Sequence, residues 1–163
     1  MRNQEPGTGN KAEPRSQGFR SLLAWQKADE LAAVTYRTLS KMARQDRWLA
    51  LQAMRAAVSV PANIAEGYGR GALGDYLRFI DIARGSLAEL EYYINFLAQQ
   101  ELLGSDEVQA LDKLQQEAGK LLHGLWRSLK EKARNGGWDH TGLIRDDSAA
   151  YVTDLAEDGG EAP

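Results

Sequence analysis

The sequence predicts an all-α fold, an antiparallel up-and-down four-helix bundle, on three observations. Apolar residues recur every three or four positions along four long stretches, as a helix with one buried face requires. The connections between those stretches are short, which makes consecutive helices antiparallel neighbours. Val, Ile and Thr are sparse beside Ala, Leu, Gln and Glu, and no segment alternates apolar with polar residues, so no strand is indicated. The bundle is expected over residues 19–134. Residues 1–18 and 135–163 are rich in Gly, Pro, Ser and polar residues without apolar periodicity, and are expected to be disordered tails, the second one acidic.

The first helix is expected over 19–44, with Leu22, Trp25, Ala28, Ala32, Tyr36, Leu39 and Met42 on its apolar face. Asp46 is placed to cap a second helix whose stripe is Leu51, Met54, Val58, Ala62 and Ala65. That helix passes through Pro61, where a missing N–H and a crowded turn predict a kink, and Gly67 and Gly69 are expected to end it. The small residues Ala56, Ala57, Ser59, Ala62 and Ala65 around Pro61 would admit a second backbone at close range. The third helix, over 72–102, has the clearest pattern. Tyr76, Ile80, Ala83, Leu87, Leu90, Ile94 and Leu97 form a heptad seam, and Phe79, Ile82, Tyr93 and Phe96 form a second stripe suited to an oligomer interface. A turn at Leu103-Gly104-Ser105, with Ser105 as cap, leads to a fourth helix lined by Val108, Leu111, Leu114, Ala118, Leu121, Leu125 and Leu129.

The 163 residues suit one domain, and the absence of cysteine excludes disulfides and thiolate metal sites. No apolar run approaches the roughly 18 residues of a membrane span, so a cytoplasmic protein without membrane contact is expected. Residues 1–134 carry 19 Lys and Arg against 16 Asp and Glu, and residues 135–163 carry 1 against 7, which totals the 20 against 23 of the whole chain. The body is therefore mildly basic and the tail acidic. The tail reads as a solubilising extension or, more sharply, as an intramolecular competitor for a basic surface.

Catalytic and metal signatures are missing, so no enzyme activity, cofactor or metal is expected. The two histidines, His123 and His140, do not follow a glutamate by three positions, as a dimetal bundle site needs. Ser59 and Ser86 have no histidine nearby in sequence, and Gly67-Tyr68-Gly69-Arg70-Gly71 lacks the preceding strand and the Lys-Ser/Thr of a phosphate loop. Arg55, Asn63, Glu66 and Glu89 form a candidate structural polar cluster, in which Arg55 could pair with Glu66 or Glu89. Trp25, Trp48 and Trp126 are assigned to packed faces before stacking platforms.

Four stretches carry a family resemblance: Trp25-Gln26-Lys27-Ala28, residues 55–67 around Val60-Pro61-Ala62-Asn63, Arg78-Phe79, and residues 82–91 from Ile82 to Glu91. They closely resemble the bacterial four-helix-bundle proteins encoded in 23S ribosomal RNA intervening sequences, over about residues 19–130. Accessory variability determinants of diversity-generating retroelements resemble the same family. The resemblance implies a non-enzymatic ring, commonly a homopentamer, and in the retroelement branch an association with reverse transcriptase and with RNA or DNA through basic residues. The family's usual Ser at the start of the third helix is Ala72 in this chain, which removes a cap.

Two functional classes follow. The first is an oligomeric adaptor that binds nucleic acid through Lys27, Arg37, Arg70, Arg78, Arg127, Lys130, Lys132 and Arg134, whose modest charge a ring would multiply. The second is a structural or protein-interaction module with no nucleic-acid role.

Overall fold

The computed structural model describes residues 18–136, so the two tail expectations lie largely outside the described residues. A 3₁₀ turn, Gly18–Ser21, precedes α1 (Leu23–Leu39), α2 (Arg47–Tyr68), α3 (Leu73–Gln99) and α4 (Ser105–Asn135). No strand occurs among the described residues. Each helix packs on its neighbours in sequence, and α4 closes the bundle against α1. Ser59 meets Ser86 and Gly67 meets Phe79, so α2 and α3 run antiparallel. Gln115 meets Glu91 and Trp126 meets Arg84, which gives α3 and α4 the same relation.

The heptad seam of α3 is the core as expected: Tyr76, Ile80, Ala83, Leu87, Leu90, Ile94 and Leu97 are all buried. The other helices differ in rotation. In α1 the buried residues are Ala24, Ala28, Leu31, Ala32, Thr35 and Leu39, while Tyr36 points to solvent. Thr35 is accommodated because its hydroxyl donates to the Leu31 carbonyl at 2.8 Å. In α2 the core side is Leu49, Ala50, Ala53, Ala56, Ala57, Val60, Pro61 and Ile64, and Leu51 and Val58 are exposed. Apolar residues cover two sides of α2, so periodicity alone could not choose. Close approach of α1 and α3 selects the alanine-rich side, because short side chains let backbones pack. On α4, Leu122 and Gly124 are buried in place of Leu121.

Helix ends also differ from expectation. α1 stops at Leu39, and the segment to Asp46 is a series of turns. Asp46 stands at the N-cap of α2 without a side-chain capping bond. α2 runs unbroken through Pro61, and Gly67 lies buried inside it. A Cβ at Gly67 would stand 2.6 Å from Tyr76 Cδ2 and 2.9 Å from Phe79 Cβ, so glycine serves helix contact there, and Gly69 follows the helix. Ala72 gives α3 no side-chain cap. α4 is capped at Gly104, whose N–H donates to Glu107 Oε2 at 3.0 Å, and Ser105 is its first residue. Between α3 and α4, Leu102 N–H bonds the Leu97 carbonyl and Glu101 N–H bonds the Ala98 carbonyl. This doubly bonded helix end places Glu101 at φ 57°, a position that ordinarily takes glycine.

Candidate nucleic-acid interface

The antiparallel topology gathers charge that the sequence spreads out. The start of α1, the α2–α3 turn and the last turns of α4 share one end of the bundle. Edge-to-face contacts tie the first two together, with Phe19 to Tyr68 at 6.5 Å and Tyr68 to Tyr76 at 6.3 Å. Over residues 18–26, 61–84 and 124–136 this end carries Arg20, Arg70, Arg78, Arg84, Arg127, Lys130, Lys132 and Arg134, eight cations, against the four carboxylates of Glu66, Asp75, Asp81 and Glu131. At the opposite end, residues 37–47 and 99–107 hold Arg37, Lys41, Arg44 and Arg47 against Asp46, Glu101, Asp106 and Glu107, four against four.

Two aromatic rings organise the cationic end. The Arg84 guanidinium lies 4.6 Å from the centre of the Trp126 ring and Lys130 Nζ 5.4 Å from it, while the exposed His123 stacks on the same indole at 5.7 Å. Asp81 holds Arg84 at 3.1 Å. Trp126, Arg127, Lys130, Glu131 and Arg134 line a groove of about 530 Å³. The second ring is Phe79, with Arg70 at 4.9 Å and Arg78 at 6.0 Å. Arg70 also pairs with Glu66, one helical turn back.

Both rings therefore hold cations rather than offer open faces. A half-buried indole already flanked by Arg84, Lys130 and His123 is a poor platform for a base, and its buried Nε1 has no hydrogen-bond partner among the described residues. The arrangement suits phosphate contacts, which need positive charge and tolerate any sequence.

The residues expected to bind nucleic acid divide accordingly. Arg70, Arg78, Arg127, Lys130, Lys132 and Arg134 lie at the cationic end. Arg37 lies at the opposite end. Lys27 joins α1 to α4 by bonding Glu30 Oε2 at 2.7 Å and Glu117 Oε2 at 3.1 Å. Those bonds, Glu30's foremost, raise the Lys27 pKa above its ordinary 10.5. With two carboxylates already satisfied, Lys27 is a bridge between helices. Arg84 and Arg20 were not among the candidates, yet both sit at this end, with Arg20 4.7 Å from the Phe19 ring. Reflecting the chain about the Leu103–Ser105 turn brings Arg84 alongside the Trp126 turn of α4, a signal present in the sequence.

The expected polar cluster takes another form. Asn63 Nδ2 donates to the Ser59 carbonyl at 2.7 Å and to Ser59 Oγ at 2.9 Å. Ser59 Oγ lies 2.8 Å from Ser86 Oγ, so its proton can bridge α2 to α3. Glu66 pairs with Arg70, and Arg55 and Glu89 are exposed with no ion pair among the described residues. Of the expected interface stripe, Phe79, Tyr93 and Phe96 are half-buried and Ile82 is 40% exposed. Trp48, placed on a packed face by the sequence, is 65% exposed. It continues an open apolar line on α2 with Leu51 and Val58, interrupted by Arg55.

Among the described residues no group of His, Asp or Glu is placed to hold a metal ion, and no helix is long and apolar enough to cross a membrane. The fold and this end define a four-helix bundle with a concentrated cationic surface. The chain belongs to the family described as 23S rRNA-intervening sequence protein, which matches residues 20–124, more than half its length. No curated protein matches it. A similar solved structure is the crystal structure of a protein of unknown function from the S23 ribosomal protein family of Bacteroides thetaiotaomicron. That protein is 20% identical, with 64% of this chain and 96% of that chain covered and a TM-score of 0.61, a likeness of fold.

Proposed function

We propose that this protein is a non-enzymatic, homo-oligomeric adaptor that binds nucleic acid by its phosphates at the cationic end of the bundle. The observation that carries this reading is the placement of eight cations against four carboxylates at one end and four against four at the other. A homo-oligomeric ring, pentameric in the form the family resemblance implies, would set several such ends side by side and raise both affinity and salt sensitivity. Open apolar residues on α2 and α3, Trp48, Leu51, Val58, Ile82 and Tyr92, favour such association. In the same reading the ring serves a reverse transcriptase as an accessory of a diversity-generating retroelement, with RNA or DNA as the shared ligand, in the cytoplasm.

Anisotropy of a labelled single-stranded RNA, titrated with the full chain across salt concentrations, tests the binding. The triple variant Arg127→Glu, Lys130→Glu, Arg134→Glu should weaken it at least tenfold and flatten the log K against log salt slope by about 2, at roughly 0.7 per lost phosphate contact. No binding by the natural chain at low salt, or a slope untouched by the reversals, overturns the reading. Sedimentation equilibrium tests the ring: a monomer at every concentration removes it. The exposed α2 line also supports the second reading, a protein-interaction module without nucleic acid, which predicts a partner lost on Trp48→Ser with no RNA binding at all.

A further inference from the structure

We propose that the acidic segment after α4, residues 137–163, docks on the cationic end of its own bundle, seated in the groove between Trp126 and Arg134, and screens it from external polyanions. The screening clause rests on the proposed nucleic-acid role; the docking does not.

Three observations carry it. The first is where the chain leaves the bundle. Gly136 ends α4 in the left-handed conformation, φ 66°, with its N–H bonded to the Lys132 carbonyl, so the segment begins beside Arg134 at the rim of the groove. The second is charge. Residues 137–163 carry Asp139, Asp146, Asp147, Asp154, Glu157, Asp158 and Glu161 against Arg145 alone, and they emerge where the bundle has its excess of cations. The third is reach. The groove spans the eight-residue step from Trp126 to Arg134, about 12 Å of helix. Asp139 to Asp147 stand three to eleven residues past Gly136, within roughly 10 to 36 Å of extended chain.

Tethering turns this weak attraction into an effective one. A segment joined by so short a link meets its site at an effective concentration in the millimolar range, so even a millimolar contact is populated a good part of the time. An external polyanion must displace it. The seat is electrostatic, hence salt-sensitive: near 0.5 M salt the screening length falls to about 4 Å and the segment should release.

The chain has no cysteine, so Ser148→Cys provides a single address for a nitroxide label. Amide signals of residues 126–134 in the ¹⁵N-labelled full chain should broaden relative to the reduced label, while those of residues 37–47 should not. Broadening should fall in 0.5 M salt, and also when the seven carboxylates are changed to amides in the labelled chain, to the residual level that a free twelve-residue tether alone produces. Equal broadening at both ends, none, or broadening of residues 126–134 that neither salt nor the amide changes reduce overturns the docking. So does broadening that appears only on mixing spin-labelled unenriched chains with label-free ¹⁵N chains, since the segment would then reach a neighbouring copy. For the screening clause, the seven-amide chain should bind labelled single-stranded RNA about three- to tenfold more tightly at low salt than the natural chain. Equal affinity overturns the clause. If neither chain binds RNA, the proposed function fails, and the broadening still decides the docking.

Discussion

At one end of the bundle, Gly67 lets Tyr76 and Phe79 lie directly on α2, and eight cations stand against four carboxylates. At the other end charges balance four against four, and the helices are joined by turns that satisfy their own backbone groups. The difference separates two jobs. Surplus like charge repels itself, and the cationic end spreads that charge around Phe79 and Trp126 while tight aromatic packing holds the helices together beneath it. The neutral end carries no such surplus, and its connections, residues 40–46 and 100–104, are longer than residues 69–72 at the cationic end.

The largest expected effect comes from loosening the packed end. Gly67→Ala places a methyl group against Tyr76 and Phe79 at distances that force one of them to move, and overpacking of this kind costs about 1–3 kcal/mol. Urea unfolding of that variant beside Gly119→Ala, whose added carbon would meet only Leu87 at 3.5 Å, measures it. Equal stability of the two would mean that the end closes by something other than the Gly67 contact.

A second comparison is of charge reversal at the two ends. Arg37→Glu with Lys41→Glu, at the neutral end, should change RNA affinity less than about twofold, whereas reversal at Arg127, Lys130 and Arg134 should lower it at least tenfold. Similar losses at both ends in the anisotropy titration would dissolve the distinction between them.

The smallest effect belongs to Lys27, which lies between the ends. Lys27→Met removes a partly exposed bridge to Glu30 and Glu117 and should cost about 1 kcal/mol or less near neutral pH. Because folding raises the Lys27 pKa above 10.5, its contribution is complete below that pH and is lost as the pH rises through the folded value. Denaturation of both proteins from about pH 9 upward should show their stabilities converging above 10.5.

Much of this fold was legible in the sequence because the α3 seam is unambiguous, with large apolar residues on one side and charges opposite. The helix rotations were not legible where small residues do the packing. On α2, Leu51 and Val58 look more like core than Ala53 and Ala57 do, and only the proximity of α1 and α3 decides in favour of the alanines. Glycine misled for the same reason, since Gly67 reads as a stop and acts as a contact. The charge surface was the least legible part. A total of 19 against 16 over residues 1–134 describes a nearly neutral body, and only the up-and-down path reveals that the surplus lies at one end.

The turn between α3 and α4 has a consequence of its own. Glu101 occupies a left-handed position that costs a side-chain-bearing residue on the order of 1 kcal/mol, although its neighbours Leu97 and Leu102 complete the bonding of a glycine-type helix end. The protein therefore holds thermal headroom that it does not use, at a site remote from the cationic end. Glycine at 101 would raise the melting temperature without touching the cationic end, and would give the reversals at Arg127, Lys130 and Arg134 a sturdier background in which to be measured.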